Sequence, residues 1–139
     1  MRRIIRSAAL AFSLLVLATL VGAQPAVAQS IAASTWSHGA SYSGSQGGLT
    51  WYNRSVGVQG TVYDIGDGLT QVYFLPYHGN TALYARDTTR TASEGTVPFG
   101  FTLDGSDLVG GISKVYIRTC WYPSAGGVTC SGEVTLVRP

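Results

Sequence analysis

Residues that could carry catalytic chemistry are few in this 139-residue chain, and none of them forms a recognised catalytic pattern. A serine nucleophile needs a positioned base and an oxyanion hole. The sequence has no G-x-S-x-G nucleophile elbow, and its only histidines are His38 and His78. A glycosidase needs two opposed carboxylates, whereas the acidic residues here fall mostly at predicted turns or on outer strand faces. We therefore expect no enzymatic activity and no cofactor.

The histidines, cysteines and aspartates do not stand at metal-binding spacings either. Neither histidine is at zinc-ligand spacing from the cysteines. The segments "YDIGDG" and "LDGSD" place aspartates beside glycines, but neither matches the twelve-residue calcium loop with its closing glutamate. Asp-Gly pairs are common at tight turns. We therefore expect no metal site, and we expect Asp67-Gly68 to end a tight connection between antiparallel neighbours.

Aromatic residues beside predicted loops are the best candidates for ligand contact. Trp121 and Tyr122 stand next to the cysteine hairpin, and Trp51 stands at the start of a predicted strand. Flat rings held on a β scaffold can stack on sugar faces or fill a pocket in a partner. The alternative is that these rings pack in the core or at a sheet edge. We take Trp121, Tyr122 and Trp51 as the candidate binding residues.

Both cysteines lie in the segment "TCWYPSAGGVTC", which runs from Thr119 to Cys130. In an exported protein, two cysteines indicate one disulfide, here between Cys120 and Cys130. The two glycines of the enclosed loop allow the positive φ values of a tight turn. The segment therefore predicts a disulfide-clamped β-hairpin.

The apolar pattern of this hairpin predicts a β-bulge. An uninterrupted register would place Glu133 on the same face as the apolar residues of the first strand, and a shift of one residue reverses every side chain. One extra residue at Ser131-Gly132 removes the conflict. Ile117 then pairs with Val134, and Arg118 pairs with Glu133 as an ion pair on the outer face.

The amino terminus predicts export. It reads "MRRIIRSAALAFSLLVLATLVGAQPAVAQ", with three arginines, an apolar run from Ala8 to Val21 and a small-x-small triplet at Ala26 to Ala28. This order is typical of a secretory signal peptide over residues 1–28. The alternative is a membrane anchor, but the apolar run is shorter than the roughly 20 residues that a bilayer requires. We expect a secreted, extracellular protein that is free of the membrane after cleavage.

Removal of residues 1–28 from the 139 would leave 111 residues, which is enough for one domain. Three of the nine Lys and Arg would leave with the signal peptide, so six would face seven Asp and Glu, a net charge of −1. A weakly acidic domain offers no basic surface for nucleic acid. We therefore expect no nucleic-acid partner.

The mature chain divides into two parts. Residues 29–48 are rich in Ser and Gly and contain no apolar run, which favours a flexible arm or a loosely held first strand. Residues 49–139 contain about seven short β-branched and aromatic runs separated by turn signals. This pattern predicts an all-β, antiparallel sandwich, immunoglobulin-like or similar, with one disulfide; a small β-barrel is the alternative. Within it, "LTQVYFLPY" is expected centrally and "VPFGFTLD", with Pro98, at an edge.

The segments "VGVQGTVYDIGDG" and "FGFTLDGSDLVGGISKVYIRTCW", together with the closing cysteine hairpin, resemble the small secreted β-sandwich proteins of actinobacteria. The likeness covers roughly Val56 to Val137 and implies an exported sandwich with one disulfide and no site residues. The chain differs from the amylase-inhibitor sandwiches of the same bacteria, which have two disulfides and a Trp-Arg-Tyr triplet. Its nearest string is Trp51-Tyr52-Asn53-Arg54, so that inhibitory function is not implied.

These observations favour a secreted, non-enzymatic binding or interaction domain whose contact surface includes the candidate aromatic residues. The partners expected of such a surface are an extracellular polysaccharide, such as that of a cell wall, or a secreted protein. Two alternatives stay open: an inhibitor of an extracellular hydrolase that presents the disulfide-clamped hairpin, and a structural protein of the cell envelope.

Overall fold

The computed structural model describes residues 32–139. The predicted signal peptide and the first residues of the predicted arm lie outside this range. The described residues form nine strands and one short 3₁₀ turn. In chain order these are β1 (Ala32–Ala40), β2 (Ser43–Trp51), β3 (Val56–Asp64), β4 (Gly68–His78), β5 (Thr81–Ala82), the turn Tyr84–Arg86, β6 (Thr88–Ala92), β7 (Gly95–Leu103), β8 (Lys114–Pro123) and β9 (Thr129–Val137).

The strands form two antiparallel sheets. The first sheet has the order β1-β2-β3-β7, and the second has the order β5-β4-β8-β9, with β6 also paired to β4. Both sheets have free edges, so the fold is a sandwich and not a closed barrel. The predicted all-β, antiparallel class is confirmed. The expected positions of two strands are also confirmed, because β4 lies inside its sheet and β7, which contains Pro98, lies at an edge.

The core lies between the sheets and is built from alternate residues of each strand. Phe74 of β4 is its aromatic centre, with ring centroids 5.5 Å from Trp36, 5.7 Å from Phe99 and 5.2 Å from Phe101. The other fully buried apolar side chains are aliphatic or the second tryptophan: Leu49, Trp51, Val56, Val58, Val62, Val72, Ile112, Val115 and Ile117. Burial of this cluster supplies the main stabilisation of the fold.

Of the two expectations for residues 29–48, a flexible arm or a loosely held first strand, the arm differs from the structure, because residues 32–40 and 43–51 form the paired strands β1 and β2. This hairpin buries Trp36, which is 5% exposed. Gly47 and Gly60 lie opposite each other in β2 and β3. A Cβ on Gly47 would collide with the Gln59 carbonyl oxygen and the Trp36 ring. Glycine therefore provides space for an indole here, and the lack of an apolar run does not indicate flexibility.

The connection that ends at Asp67-Gly68 also differs from expectation. It was predicted to join antiparallel neighbours, but β3 belongs to the first sheet and β4 to the second. Asp64, which is fully buried, accepts hydrogen bonds from the Gly66 amide at 2.9 Å and from the Thr70 hydroxyl at 2.9 Å. These bonds hold residues 65–67, which cross from β3 to β4 and are called the crossing segment below, against both sheets.

The hairpin prediction is confirmed. Cys120 and Cys130 form a disulfide, and the pairing of β8 with β9 shifts by one residue below it, so that Ser131 is the extra residue. Ile117 pairs with Val134 and Arg118 lies opposite Glu133, as the bulge requires. Within residues 32–139, however, the expected ion pair between Arg118 and Glu133 does not form. The salt bridge found there joins Arg86 to Asp107.

Candidate functional site

Trp51, one of the three candidate binding residues, lies in the core. Its side chain is fully buried, and its Nε1 donates to the Ser34 hydroxyl at 3.0 Å. The Arg138 guanidinium covers the ring with its carbon 5.3 Å from the ring centroid. Arg138 in turn donates to the Ile112 carbonyl oxygen at 2.8 Å. Trp51 therefore anchors the end of the chain and is not on a contact surface.

Trp121 and Tyr122 point to opposite faces of β8. Successive residues of a strand alternate between faces, and the fully buried Val115, Ile117 and Thr119 place the odd-numbered residues of β8 toward the core. Trp121 is half-buried at the end of this inner row, whereas Tyr122 lies on the outer face and is 37% exposed. A single flat ligand therefore does not contact both rings, and the two residues belong to different surfaces.

Trp121 instead pairs with Tyr42, which lies in the turn between β1 and β2. The ring centroids are 5.0 Å apart and the ring planes meet at 63°. The Ile65 amide donates to the Tyr42 carbonyl oxygen at 2.8 Å, so the crossing segment between β3 and β4 packs against the same turn. Tyr42 is 42% exposed and Ile65 is 68% exposed. We call the surface formed by Tyr42, Ile65 and Trp121 the aromatic loop end.

Within the described residues 32–139, the indole N–H of Trp121 has no hydrogen-bond partner, although the atom is buried. Buried donors are nearly always paired, so an unpaired one is unusual. The neighbouring chain is Gly66, where an added Cβ would lie 3.8 Å from Nε1 and 3.6 Å from the ring. The ring is therefore held by packing against Tyr42 and Gly66, and not by a polar contact.

The disulfide-clamped hairpin lies at the same end of the sandwich. Its turn uses Gly126 and Gly127, with φ of 96° and 91°, which glycine adopts without steric cost. The Gly126 amide donates to the Pro123 carbonyl oxygen at 3.0 Å. The Ser124 hydroxyl donates to the Asp67 carboxylate at 2.7 Å, which ties the hairpin to the crossing segment. The loop is thus held in one shape by the disulfide, the turn and a hydrogen bond.

A row of polar side chains crosses the interior near this end. The Ser45 and Thr119 hydroxyl oxygens, one from each sheet, are 2.6 Å apart, and Trp36 Nε1 donates to the Ser45 hydroxyl at 3.1 Å. His38 Nδ1 lies 3.3 Å from the Thr119 hydroxyl. Burial lowers the pKa of His38, and the Glu133 carboxylate acts in the opposite direction. Since both hydroxyl groups are fully buried, the row joins the sheets and presents no nucleophile to a substrate.

The outer face of the second sheet carries several tyrosines, and the hydroxyl of one of them, Tyr73, is already engaged. The Tyr73 hydroxyl donates to the Asp87 carboxylate at 2.8 Å, and the Arg118 guanidinium lies 6.0 Å from the ring centroid. Burial, followed by the bond to Asp87, raises the pKa of Tyr73 to about 12. Tyr122 lies at one end of this face. The Tyr73 hydroxyl is therefore less available to a ligand.

Nothing in residues 32–139 indicates a metal centre, because no three His, Cys, Asp or Glu side chains gather closely enough to hold an ion. The same residues contain no helix with the length and apolar character needed to cross a membrane. No protein-family model, no curated protein and no solved structure matches the chain. The function therefore has to follow from the geometry and chemistry of the site residues.

The candidate binding residues chosen from the sequence include Trp121 but not Tyr42 or Ile65, the other two residues of the aromatic loop end. Tyr42 was assigned to the arm, and Ile65 was treated as part of a turn. The signal that could have identified Ile65 is an isolated bulky apolar residue between Asp64 and Gly66, where turn residues are normally polar. Tyr42 belongs to the aromatic residues beside predicted loops, but its contact with Trp121 depends on the pairing of β1 with β2.

Proposed function

We propose that the protein is an extracellular, non-enzymatic binding domain that contacts an insoluble polysaccharide through the aromatic loop end. The observation that carries this proposal is the packing of Tyr42 against Trp121 at a centroid distance of 5.0 Å. The two rings come from different sheets, and their mutual support holds the exposed ring of Tyr42 in place.

A supported aromatic ring suits sugar recognition for two reasons. Tyrosine combines an apolar ring with a hydroxyl group, so it can stack on the apolar face of a sugar and hydrogen-bond to a sugar hydroxyl. A ring that is already fixed loses little conformational entropy on binding. Exposed Ile65 extends the apolar part of the surface beside Tyr42.

The extracellular location rests on the leader and the disulfide. Residues 1–28 have the order of a signal peptide, and the Cys120–Cys130 disulfide is of a kind that persists in oxidising compartments. A domain released outside the cell would meet the polysaccharides of its own envelope and of its surroundings.

A pull-down on insoluble polymers tests the proposal. The purified protein is incubated with chitin, cellulose, starch and peptidoglycan, and the bound fraction is measured beside Tyr42→Ala and Tyr84→Ala. Tyr84 is 70% exposed and lies outside the aromatic loop end, so it controls for non-specific contact by an exposed tyrosine. We expect one polymer to retain the wild type and Tyr84→Ala but not Tyr42→Ala. Equal retention of the two variants, or no retention on any polymer, would reject the proposal.

A second candidate function is inhibition of an extracellular hydrolase by the disulfide-clamped hairpin. The observation in its favour is the bond of Ser124 to Asp67, which fixes a loop that the disulfide already closes. A loop fixed before docking loses less entropy when it enters an active-site cleft. Inhibition assays against a panel of secreted proteases and glycosidases test it. Inhibition that is weakened by Ser124→Ala, without loss of folding, would favour the hairpin over the aromatic loop end.

A further inference from the structure

A cleft of about 480 Å³ lies on the open side of the sandwich, where the edge strand β7 of the first sheet faces β6 of the second. This volume is within the range of small-molecule sites. The cleft is at the opposite end of β7 from the aromatic loop end, because Leu103, which lines it, pairs with Val56, whereas Gly95 pairs with Asp64. The charged residues that line it are Arg86, Arg90, Asp104 and Asp107.

Arg90 occupies an inward-facing position of β6. Thr88, Arg90 and Ala92 alternate on one face of the strand, and Ala92 is only 2% exposed. The Arg90 guanidinium lies over the ring of Phe101, with its carbon 4.1 Å from the ring centroid. Phe101 in turn packs against Phe74 in the core. Arg90 is therefore stacked on the edge of the core, and the cation–π contact fixes the plane of its guanidinium.

The hydrogen bonds of Arg90 leave one side of the guanidinium free. Its Nη1 donates to the Thr88 hydroxyl and to the Thr89 carbonyl oxygen, both at 2.7 Å. Arginine has five N–H donors, and within residues 32–139 the donors on Nε and Nη2 contact no acceptor. These two nitrogens form the parallel pair of donors that binds a carboxylate in bidentate fashion. The fixed guanidinium therefore carries an unused bidentate donor pair at the cleft.

Arg86, the other arginine of the cleft, already has a carboxylate partner. Its Nη1 donates to Asp107 Oδ1 at 2.8 Å, and its Nη2 donates to Asp107 Oδ2 at 2.6 Å. Its Nη1 also donates to the Asp104 carbonyl oxygen at 2.6 Å. The charges of Arg86 and Asp107 cancel, and their pair forms a wall of the cleft. Arg90 remains as the one cation lining the cleft, within the described residues, that has no carboxylate partner.

We propose that this cleft is a binding site for a small molecule or chain end that carries a single carboxylate group, held in bidentate fashion by Arg90. The Asp104 carboxylate also lines the cleft, and it favours a singly charged anion over a phosphate dianion, because its repulsion grows with the negative charge of the ligand. Asp104 itself is held as an anion by the Ser106 amide at 2.9 Å and by the Ser55 hydroxyl at 3.1 Å, and these bonds lower its pKa.

The competing explanation is that Arg90 only protects a sheet edge. Inward-pointing charges on edge strands hinder edge-to-edge aggregation, and that role needs the positive charge but not a bidentate donor pair. The two explanations differ for Arg90→Lys. Lysine keeps the charge, but it is a point charge without the planar fork. A protective role would leave this variant unchanged, whereas carboxylate binding would be weakened.

The experiment is an NMR titration of the ¹⁵N-labelled protein, in which amide shifts of Thr88, Arg90 and Thr102 are followed. The probes are sodium glucuronate and N-acetylglycylglycine, which present the same carboxylate on a sugar and on a peptide, with glucose and inorganic phosphate as controls. We expect saturable shifts at the cleft with one or both carboxylates. A response to one alone identifies the source of the carboxylate. Absence of saturable shifts with both, or tighter binding of phosphate, would overturn the proposal.

Three variants complete the test. Arg90→Gln should weaken carboxylate binding by at least about tenfold, as expected for loss of charge-assisted hydrogen bonds. Arg90→Lys should weaken carboxylate binding as well, and this variant provides the test if Arg90→Gln does not fold. Arg118→Gln, which removes an exposed arginine on the outer face of the second sheet, should leave binding unchanged. Equal binding by wild type and Arg90→Lys would overturn the bidentate site.

Discussion

Tyr42 and Trp121 pack edge to face at a centroid distance of 5.0 Å, although Tyr42 belongs to a turn of the first sheet and Trp121 to a strand of the second. The contact closes one end of the sandwich and presents the tyrosine to solvent. It also explains why a tryptophan stands beside a disulfide that by itself would be sufficient to hold the hairpin. The indole supports the turn opposite, and the exposed ring of Tyr42 is the result.

The unpaired N–H of Trp121 predicts unequal effects of two substitutions. Trp121→Phe keeps most of the ring contact with Tyr42 and removes a buried donor without a partner, so the free energy of unfolding should fall by less than about 1 kcal/mol. Trp121→Ala loses the ring and should cost about 2 to 3 kcal/mol, less than for a fully buried tryptophan. Urea unfolding measures both values. Equal losses would indicate that the N–H is satisfied in solution.

Substitution of two neighbouring glycines in β2 tests whether residues 32–48 form a packed hairpin. Gly47→Ala would force a methyl group into the Gln59 carbonyl oxygen and the Trp36 ring and should destabilise the protein by about 1 to 3 kcal/mol. Gly48→Ala is the matched control, because its nearest contact would be 3.6 Å away, which is ordinary packing. Thermal unfolding compares the two variants. A flexible segment would tolerate both substitutions equally, and that result would contradict the strands β1 and β2.

Loss of the disulfide should destabilise the protein without changing its fold. Cys120 and Cys130 are ten residues apart, and closure of a loop of this length contributes roughly 2 to 3 kcal/mol through the entropy of the unfolded chain. The double variant Cys120→Ala/Cys130→Ala should unfold at a correspondingly lower denaturant concentration while its far-ultraviolet circular dichroism is retained. Loss of strand structure in the absence of denaturant would show that the disulfide is required for folding itself.

His38 predicts a dependence of stability on pH. Burial lowers its pKa below the ordinary value of 6.5, so the folded protein binds this proton more weakly than the unfolded chain does. Unfolding therefore takes up a proton below about pH 6.5, and stability must fall as the pH drops through this range. Unfolding at pH 7.5 and pH 5.5 should show a larger loss in wild type than in His38→Gln. Identical losses would exclude His38 as the cause.

The sequence predicted those parts of the fold in which apolar alternation is strong. The pairing of Ile117 with Val134 followed from the need to keep Glu133 off the core face, and Pro98 correctly marked an edge strand. In both cases the reason is local: one face of the hairpin strand must be apolar, and proline lacks the N–H that a central strand would need. The disulfide followed from the number of cysteines and from the predicted signal peptide.

The predictions that differ from the structure share a physical cause, which is contact between residues distant in sequence. Trp51 and Trp121 are each followed by a tyrosine in the sequence. Only the packing of Ser34 and Arg138 around Trp51 identifies it as a core residue. The opposite directions of Trp121 and Tyr122 follow from strand alternation, but their separation into two surfaces requires knowledge of which face the first sheet covers. Glycines that make space for Trp36 cannot be distinguished from flexible glycines by composition.

Tryptophan fluorescence tests the proposed binding surface most directly. The chain has three tryptophans; Trp36 is 5% exposed and Trp51 is fully buried, so only half-buried Trp121 should respond strongly to a ligand. Soluble fragments of the four polysaccharides are titrated into wild type and into Trp121→Phe. We expect a saturable change in emission with one fragment in wild type and none in Trp121→Phe. No change with any fragment, or an equal change in the variant, would contradict binding at the aromatic loop end.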